Sequence, residues 1–249
     1  MAEEFNLAKF DLADVVGSLI ESVSNFDGDM ASANNLIDPF AAALESAING
    51  YQSEADWKDS EHQRTRQKNL MNYIGDLQQS IIGKLPGWTS HRSGTDMPDV
   101  VGIRNKQLML CEVKNKHNTM NNSSAKETYN VLAEFLERPE FKGYTAAVVQ
   151  IISPVRRGRG AFFKPFSPPG RPERQDIVLL PGRVFYAIAT DPMERIPYIS
   201  VQPTDDLTKW DSWKAIDLMM EEFWLEIEKQ TSYKTPDWIK KLSVQSLGE

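Results

Sequence analysis

The sequence predicts an α/β chain: a central mixed β-sheet flanked by helices, behind a helical N-terminal segment. Three observations predict it. Apolar residues recur at three- and four-residue steps through the first 82 residues, the period of an amphipathic helix. Between residues 88 and 152 the texture shifts to short aliphatic runs bounded by turn residues, the pattern of strands. Helical periodicity interrupts those strands at residues 124–137 and returns at 207–228, and such a succession folds as a sheet with helices on its sides. The 249 residues, 41% hydrophobic and 25% charged, are enough to bury a sizeable core.

The elements follow in order. Residues 1–25 carry Phe5, Leu12, Val15, Val16, Leu19 and Ile20 on one helical face, and residues 25–29 read as a turn. A second helix spans 35–50, with Pro39 in its first turn and Asn49-Gly50 as its stop. A longer third helix covers 60–82, striped by Leu70, Ile74, Leu77 and Ile81 and ended by Gly83. Strands are expected at 88–92, 99–103 and 107–114, the last two joined by the turn Arg104-Asn105-Lys106. Residues 115–123 are polar and read as a loop before the helix at 124–137. Residues 145–152 are nearly continuous in apolar residues, as in a buried strand. Residues 156–175, rich in Gly, Pro and Arg, form a loop or arm. A further strand is expected at 184–189, and an acidic amphipathic helix at 207–228. Its Trp210, Trp213 and Trp224 read as core or interface residues.

Charge is unevenly placed. The net charge is −7, yet residues 62–204 hold 12 acidic against 20 basic residues, while residues 1–61 hold 13 against 2. A basic centre between acidic ends focuses polyanion contact on one region. Cys111 is the single cysteine, so neither a disulfide nor a cysteine-rich zinc site is available, and a reducing cytoplasm is expected. No signal peptide is evident, and no apolar run approaches the ~20 residues of a membrane span.

The segment at 97–116, MPDVVGIRNKQLMLCEVKNK, carries chemistry. Glu112 and Lys114 lie two apart on one strand and share a face, while Cys111, on the other face, reads as a core thiol. If Asn105 and Lys106 are the hairpin turn, cross-strand partners sum to 211, which sets Asp99 opposite Glu112 with Cβ atoms ~5 Å apart. Two carboxylates that close repel each other unless a cation sits between them. Mg²⁺ prefers such oxygen ligands together with water and phosphate. Beside them Lys114 is placed to orient water and stabilise charge on a phosphorane-like transition state. Asp96 stands near the same position as Asp99; the Pro98-Asp99 context and the cross-strand arithmetic favour Asp99.

The run Glu112-Val113-Lys114-Asn115-Lys116-His117-Asn118-Thr119, with residues 72–79 and Gly87-Trp88 upstream, resembles the type II restriction endonucleases that cut at GGNCC. The resemblance covers roughly residues 60 to 230. It implies a restriction-endonuclease-like core of the PD-(D/E)xK type, Mg²⁺ dependence and cleavage of both strands at a short palindrome. It makes Asp99, Glu112 and Lys114 the catalytic triplet, with 5′-phosphates left on the products. The expected organisation is one endonuclease domain over 1–249: an acidic helical segment at 1–60, a catalytic core at 61–230 and a tail at 231–249.

Further site residues follow from that resemblance. Related nucleases take another carboxylate from the helix before the first strand, and Glu61 is the candidate metal ligand. Asn115, Lys116, His117, Asn118 and Thr119 follow the catalytic strand and offer donors to phosphate. Arg156, Arg157 and Arg159 form the densest basic cluster, and arginine reads guanine in the major groove. Double-stranded DNA is the expected partner, a homodimer matches a palindrome, and a cognate DNA methyltransferase is expected in the same system. Two rivals stand beside this reading: a PD-(D/E)xK nuclease of repair or recombination, and a DNA-binding protein without catalysis.

Overall fold

The computed structural model describes residues 12–24, 38–91, 94–104, 107–153, 164–191 and 211–247. The chain divides into two compact units, residues 17–74 and residues 1–16 with 75–249. The smaller unit holds helix α2 (Pro39–Asn49) and the first turns of α3 (Glu54–Gly83). Asp38 caps α2 by accepting hydrogen bonds from the Phe40 and Ala41 amides, and Gly50 ends it at φ 72°, where a side chain would be strained. Within this unit the Ser60 hydroxyl donates to Glu45 at 2.7 Å, joining α2 to α3.

The larger unit is built on a six-stranded sheet in the order β1-β2-β3-β4-β6-β5. Its strands are β1 (Trp88–Ser90), β2 (Val100–Arg104), β3 (Gln107–Lys116), β4 (Thr145–Ile152), β5 (Lys164–Pro165) and β6 (Ile177–Pro181). The first three strands pair antiparallel, β3, β4 and β6 run parallel, and β5 pairs antiparallel at the edge. The predicted mixed sheet is thus the observed one.

Helix α4 (Asn122–Glu137) lies on one sheet face. Its Tyr129, Leu132 and Phe135 pack on Leu110, Ala146, Val148 and Ile177, with Phe141 and Phe166 completing the cluster. On the opposite face, α5 (Gly182–Thr190) sets Phe185 edge-on to Trp88 of β1, ring centroids 4.9 Å apart. Trp88 in turn lies against Gly102 so closely that a Cβ there would fall 2.4 Å from its ring, so only glycine fits. Helices α1 (Ala13–Ser24), α6 (Ala215–Thr231) and α7 (Asp237–Leu247) complete the chain's order of elements. The last occupies the segment expected as a tail.

Three expectations need correction. Residues 184–189 are not a strand but the body of α5, every residue of which is buried. The apolar run 184–189 is only six residues long, too short for its period to separate a buried helix from a buried strand. The true strand is β6, immediately before it, ending in Pro181. The polar run at 115–123 is shorter as a loop: β3 continues through Lys116 because its residues pair with β4, and α4 starts at Asn122, capped by the Asn121 side chain. Finally, α3 begins at Glu54 rather than at residue 60.

Candidate active site

Strand β3 carries the site because its alternation takes one face from core to solvent. Leu110 is fully buried under α4. Glu112 and Lys114, two and four residues further on the same face, expose about a quarter of their side chains, 23% and 27%. Lys116 is exposed. The β2–β3 pairing runs from Val100 opposite Cys111 to Arg104 opposite Gln107, the register expected from the turn. Asp99, one step before Val100, therefore stands opposite Glu112. Its Oδ2 accepts the Val113 amide at 2.8 Å, and Lys114 Nζ donates to Glu112 Oε1 at 2.6 Å. The three side chains converge. Cys111 is buried on the other face, as expected.

Two hydrogen bonds from His91, one from its amide and one from its ring, hold the backbone around Asp99 from the β1 side. The His91 amide donates to the Asp99 carbonyl at 2.9 Å. The His91 ring, through Nδ1, meets the Pro98 carbonyl at 3.0 Å; a carbonyl only accepts, so Nδ1 carries the proton. Both peptide groups flanking Asp99 are thus pinned. Asp96 is placed differently: it is exposed and paired with Arg138, just past the end of α4, at 2.8 Å.

Electrostatics mark Asp99 as the unusual group. Burial pushes its carboxyl up to about 6, and the Glu112 carboxylate pushes the same way. The Val113 amide and the Lys114 ammonium pull against this. Asp76, exposed near the end of α3, adds to the upward push. Sequence reasoning missed Asp76 and His91. Extending the antiparallel pairing of β1 with β2 by one step would have found His91; Asp76 lies on α3, the helix before the first strand from which a further carboxylate was expected, where Glu61 was the candidate.

The acids fit a hard divalent cation. Asp99 has one carboxylate oxygen engaged by Val113 and Glu112 one by Lys114, and their second oxygens make no hydrogen bond among the described residues. A buried, mutually repelling pair of this kind is relieved by a cation between them. Among the described residues no cluster of three or more His, Cys, Asp or Glu forms. Two carboxylates completed by water and substrate oxygens are the usual magnesium arrangement.

The remaining expected site residues are distributed as follows. Asn115 and Lys116 end β3 rather than belonging to the loop. His117, Asn118 and Thr119 form an exposed turn directly after it, tied by the His117 amide to Ile152 and by the Thr119 hydroxyl to the Lys116 carbonyl. Glu61 belongs to the smaller unit, where Arg64 holds its carboxylate. A metal-ligand role for Glu61 requires that pair to open. Arg156, Arg157 and Arg159 lie outside the described residues.

A family model described as Eco47II restriction endonuclease matches residues 6–198. The chain belongs to the Eco47II restriction endonuclease family. The match includes β1 to β6, α4 and all three converging residues, and ends before α6. Over 168 residues the chain is 31% identical to the type II restriction enzyme Eco47II of Escherichia coli, covering 63% of this chain and 66% of that protein. Over 104 residues it is 33% identical to the type II restriction enzyme Sau96I of Staphylococcus aureus, covering 42% of this chain and 38% of that one. The alignments therefore span just under two thirds of the first relative's length and well under half of the second's. Family membership and the converging Asp99, Glu112 and Lys114 rest on independent grounds, one on similarity along the chain and the other on strand register.

Proposed function

We propose that this protein is a type II restriction endonuclease, hydrolysing double-stranded DNA at a short palindromic, GGNCC-like site with Mg²⁺ and leaving 5′-phosphates. The observation that carries the reading is the register that sets Asp99 against Glu112 with Lys114 on the same face. Asp99 and Glu112 would hold the metal. When bound, Mg²⁺ supplies Lewis acidity at a phosphoryl oxygen and a lowered pKa to water. Lys114 keeps its ammonium beside the attacking water and offsets charge developing on the phosphate. Attack in line breaks the bond to the 3′ oxygen. Asn115 to Thr119, at the solvent end of the same strand, place the phosphate backbone over the acids. Arg156, Arg157 and Arg159 supply guanine contacts. A palindrome read by two equal halves makes the working form a homodimer, and a cognate methyltransferase protects the host genome of its cytoplasm.

Digestion of unmethylated phage DNA tests this. With Mg²⁺ the expected result is a discrete set of fragments whose sequenced ends share one site and carry 5′-phosphates; with Ca²⁺ in its place the DNA stays whole. A featureless smear points instead to a nuclease without a fixed site. DNA left intact by Mg²⁺ but bound by the protein points to a non-catalytic DNA-binding role.

A further inference from the structure

Next to Lys114 the sheet holds a polar side chain with no assigned task. Gln150 of β4 is the register partner of Lys114, so the two side chains leave the sheet on the same face, side by side. Gln150 is only 8% exposed. Val148 and Ile152 flank it along β4, and Pro181 of β6 stands on its far side. Its carboxamide makes no hydrogen bond among the described residues. Its amide atoms are not among the fully buried ones that lack a partner, so the end of the side chain keeps some solvent and can change partner.

Lys114, its partner across the strands, is committed to Glu112 Oε1. A metal held by Glu112 competes with the ammonium for that carboxylate, and Lys114 then needs another acceptor to stay aimed at the reacting phosphate. We infer that the Gln150 carbonyl oxygen is that acceptor and that Gln150 is a positioning residue for Lys114. The inference rests on the nuclease reading above. No bond is made or broken in this role; one Lys114 N–H passes from a carboxylate oxygen to an amide oxygen.

A double-mutant cycle tests it under single-turnover conditions with Mg²⁺. Gln150→Met keeps the volume and removes the acceptor. It is expected to slow cleavage about 10- to 100-fold, the scale of groups that orient a catalytic residue. Binding of uncleaved duplex in Ca²⁺, read by fluorescence anisotropy, should stay within about threefold of the unaltered protein. In a Lys114→Ala background the same substitution should add no further slowing. Equal slowing in both backgrounds, or a loss of binding that matches the loss of rate, overturns the inference. So does cleavage by Gln150→Met at the full rate. These failures are distinct from failure of the function itself, in which the unaltered protein cuts nothing or Lys114→Ala cuts as well as it does.

Discussion

The Asp99 carboxyl, buried and faced by Glu112, is pushed up to about 6 from an ordinary 3.8. Its neutral form is favoured by the fold. The stabilisation this gives is complete below the unfolded value, near 4, and is lost as pH rises through about 6. At pH 8 the metal-free protein therefore carries a charge there that the Val113 amide and the Lys114 ammonium offset only in part. Asp99→Asn removes that charge and keeps an oxygen to accept the Val113 amide. It should raise the stability of the metal-free protein at pH 8 by about 2–3 kcal/mol, and the gain should vanish near pH 4. Urea unfolding at the two pH values checks this. Cleavage should be abolished in the same variant, because a metal-holding oxygen charge is gone. A substitution that stabilises the fold while ending activity is the mark of a strained functional position.

At the scale of elements, α5 is joined to α6 by a buried ion pair. Arg183 is 6% exposed and grips Asp217 with both arms, at 2.6 and 2.7 Å, while its guanidinium lies over Trp213. It also donates to the Trp213 carbonyl at 3.1 Å. Removing one partner of such a pair leaves the other charge partly desolvated. Arg183→Met should lower stability by about 3 kcal/mol, seen as an earlier urea midpoint at unchanged slope. The pair lies outside the active site, so single-turnover cleavage by the folded fraction should keep its rate. A slower rate would mean that α5, which bears Phe185 against Trp88, transmits its position to β1 and His91.

The whole molecule is acidic, with its bases gathered in the middle of the chain. Alanine at 156, 157 and 159 together should weaken binding to the cognate duplex at least tenfold. If all three arginines meet phosphates, the salt dependence of binding should fall by about three ion equivalents and affinity should drop alike for all sequences; if they read guanines, discrimination against a mutated site should fall instead. Anisotropy titrations across a range of salt concentrations separate the two.

Much of the site was legible before any coordinates. Alternation along β3 placed Glu112 and Lys114 on one face, and the hairpin turn put Asp99 opposite Glu112. Both relations are local: the strand period is set by the backbone, and a two-residue connection leaves one register that keeps the apolar faces together. The same locality explains the long helices and the strand at 145–152, where apolar period and length agree.

Contacts between distant segments were decided by tertiary packing. The parallel registers of β3, β4 and β6 depend on how α4 and α5 seat against the sheet, and no adjacency in the chain encodes them. Hence Gln150 beside Lys114 had no signature in the sequence, and Asp76 is told apart from the other acids of α3 only by its influence on Asp99. The helical state of residues 182–190 was hidden for a related reason: an apolar run of six residues, 184–189, is too short for its period to separate a buried helix from a buried strand, and the packing of Gly182 on Ile151 and of Phe185 on Trp88 belongs to the tertiary structure.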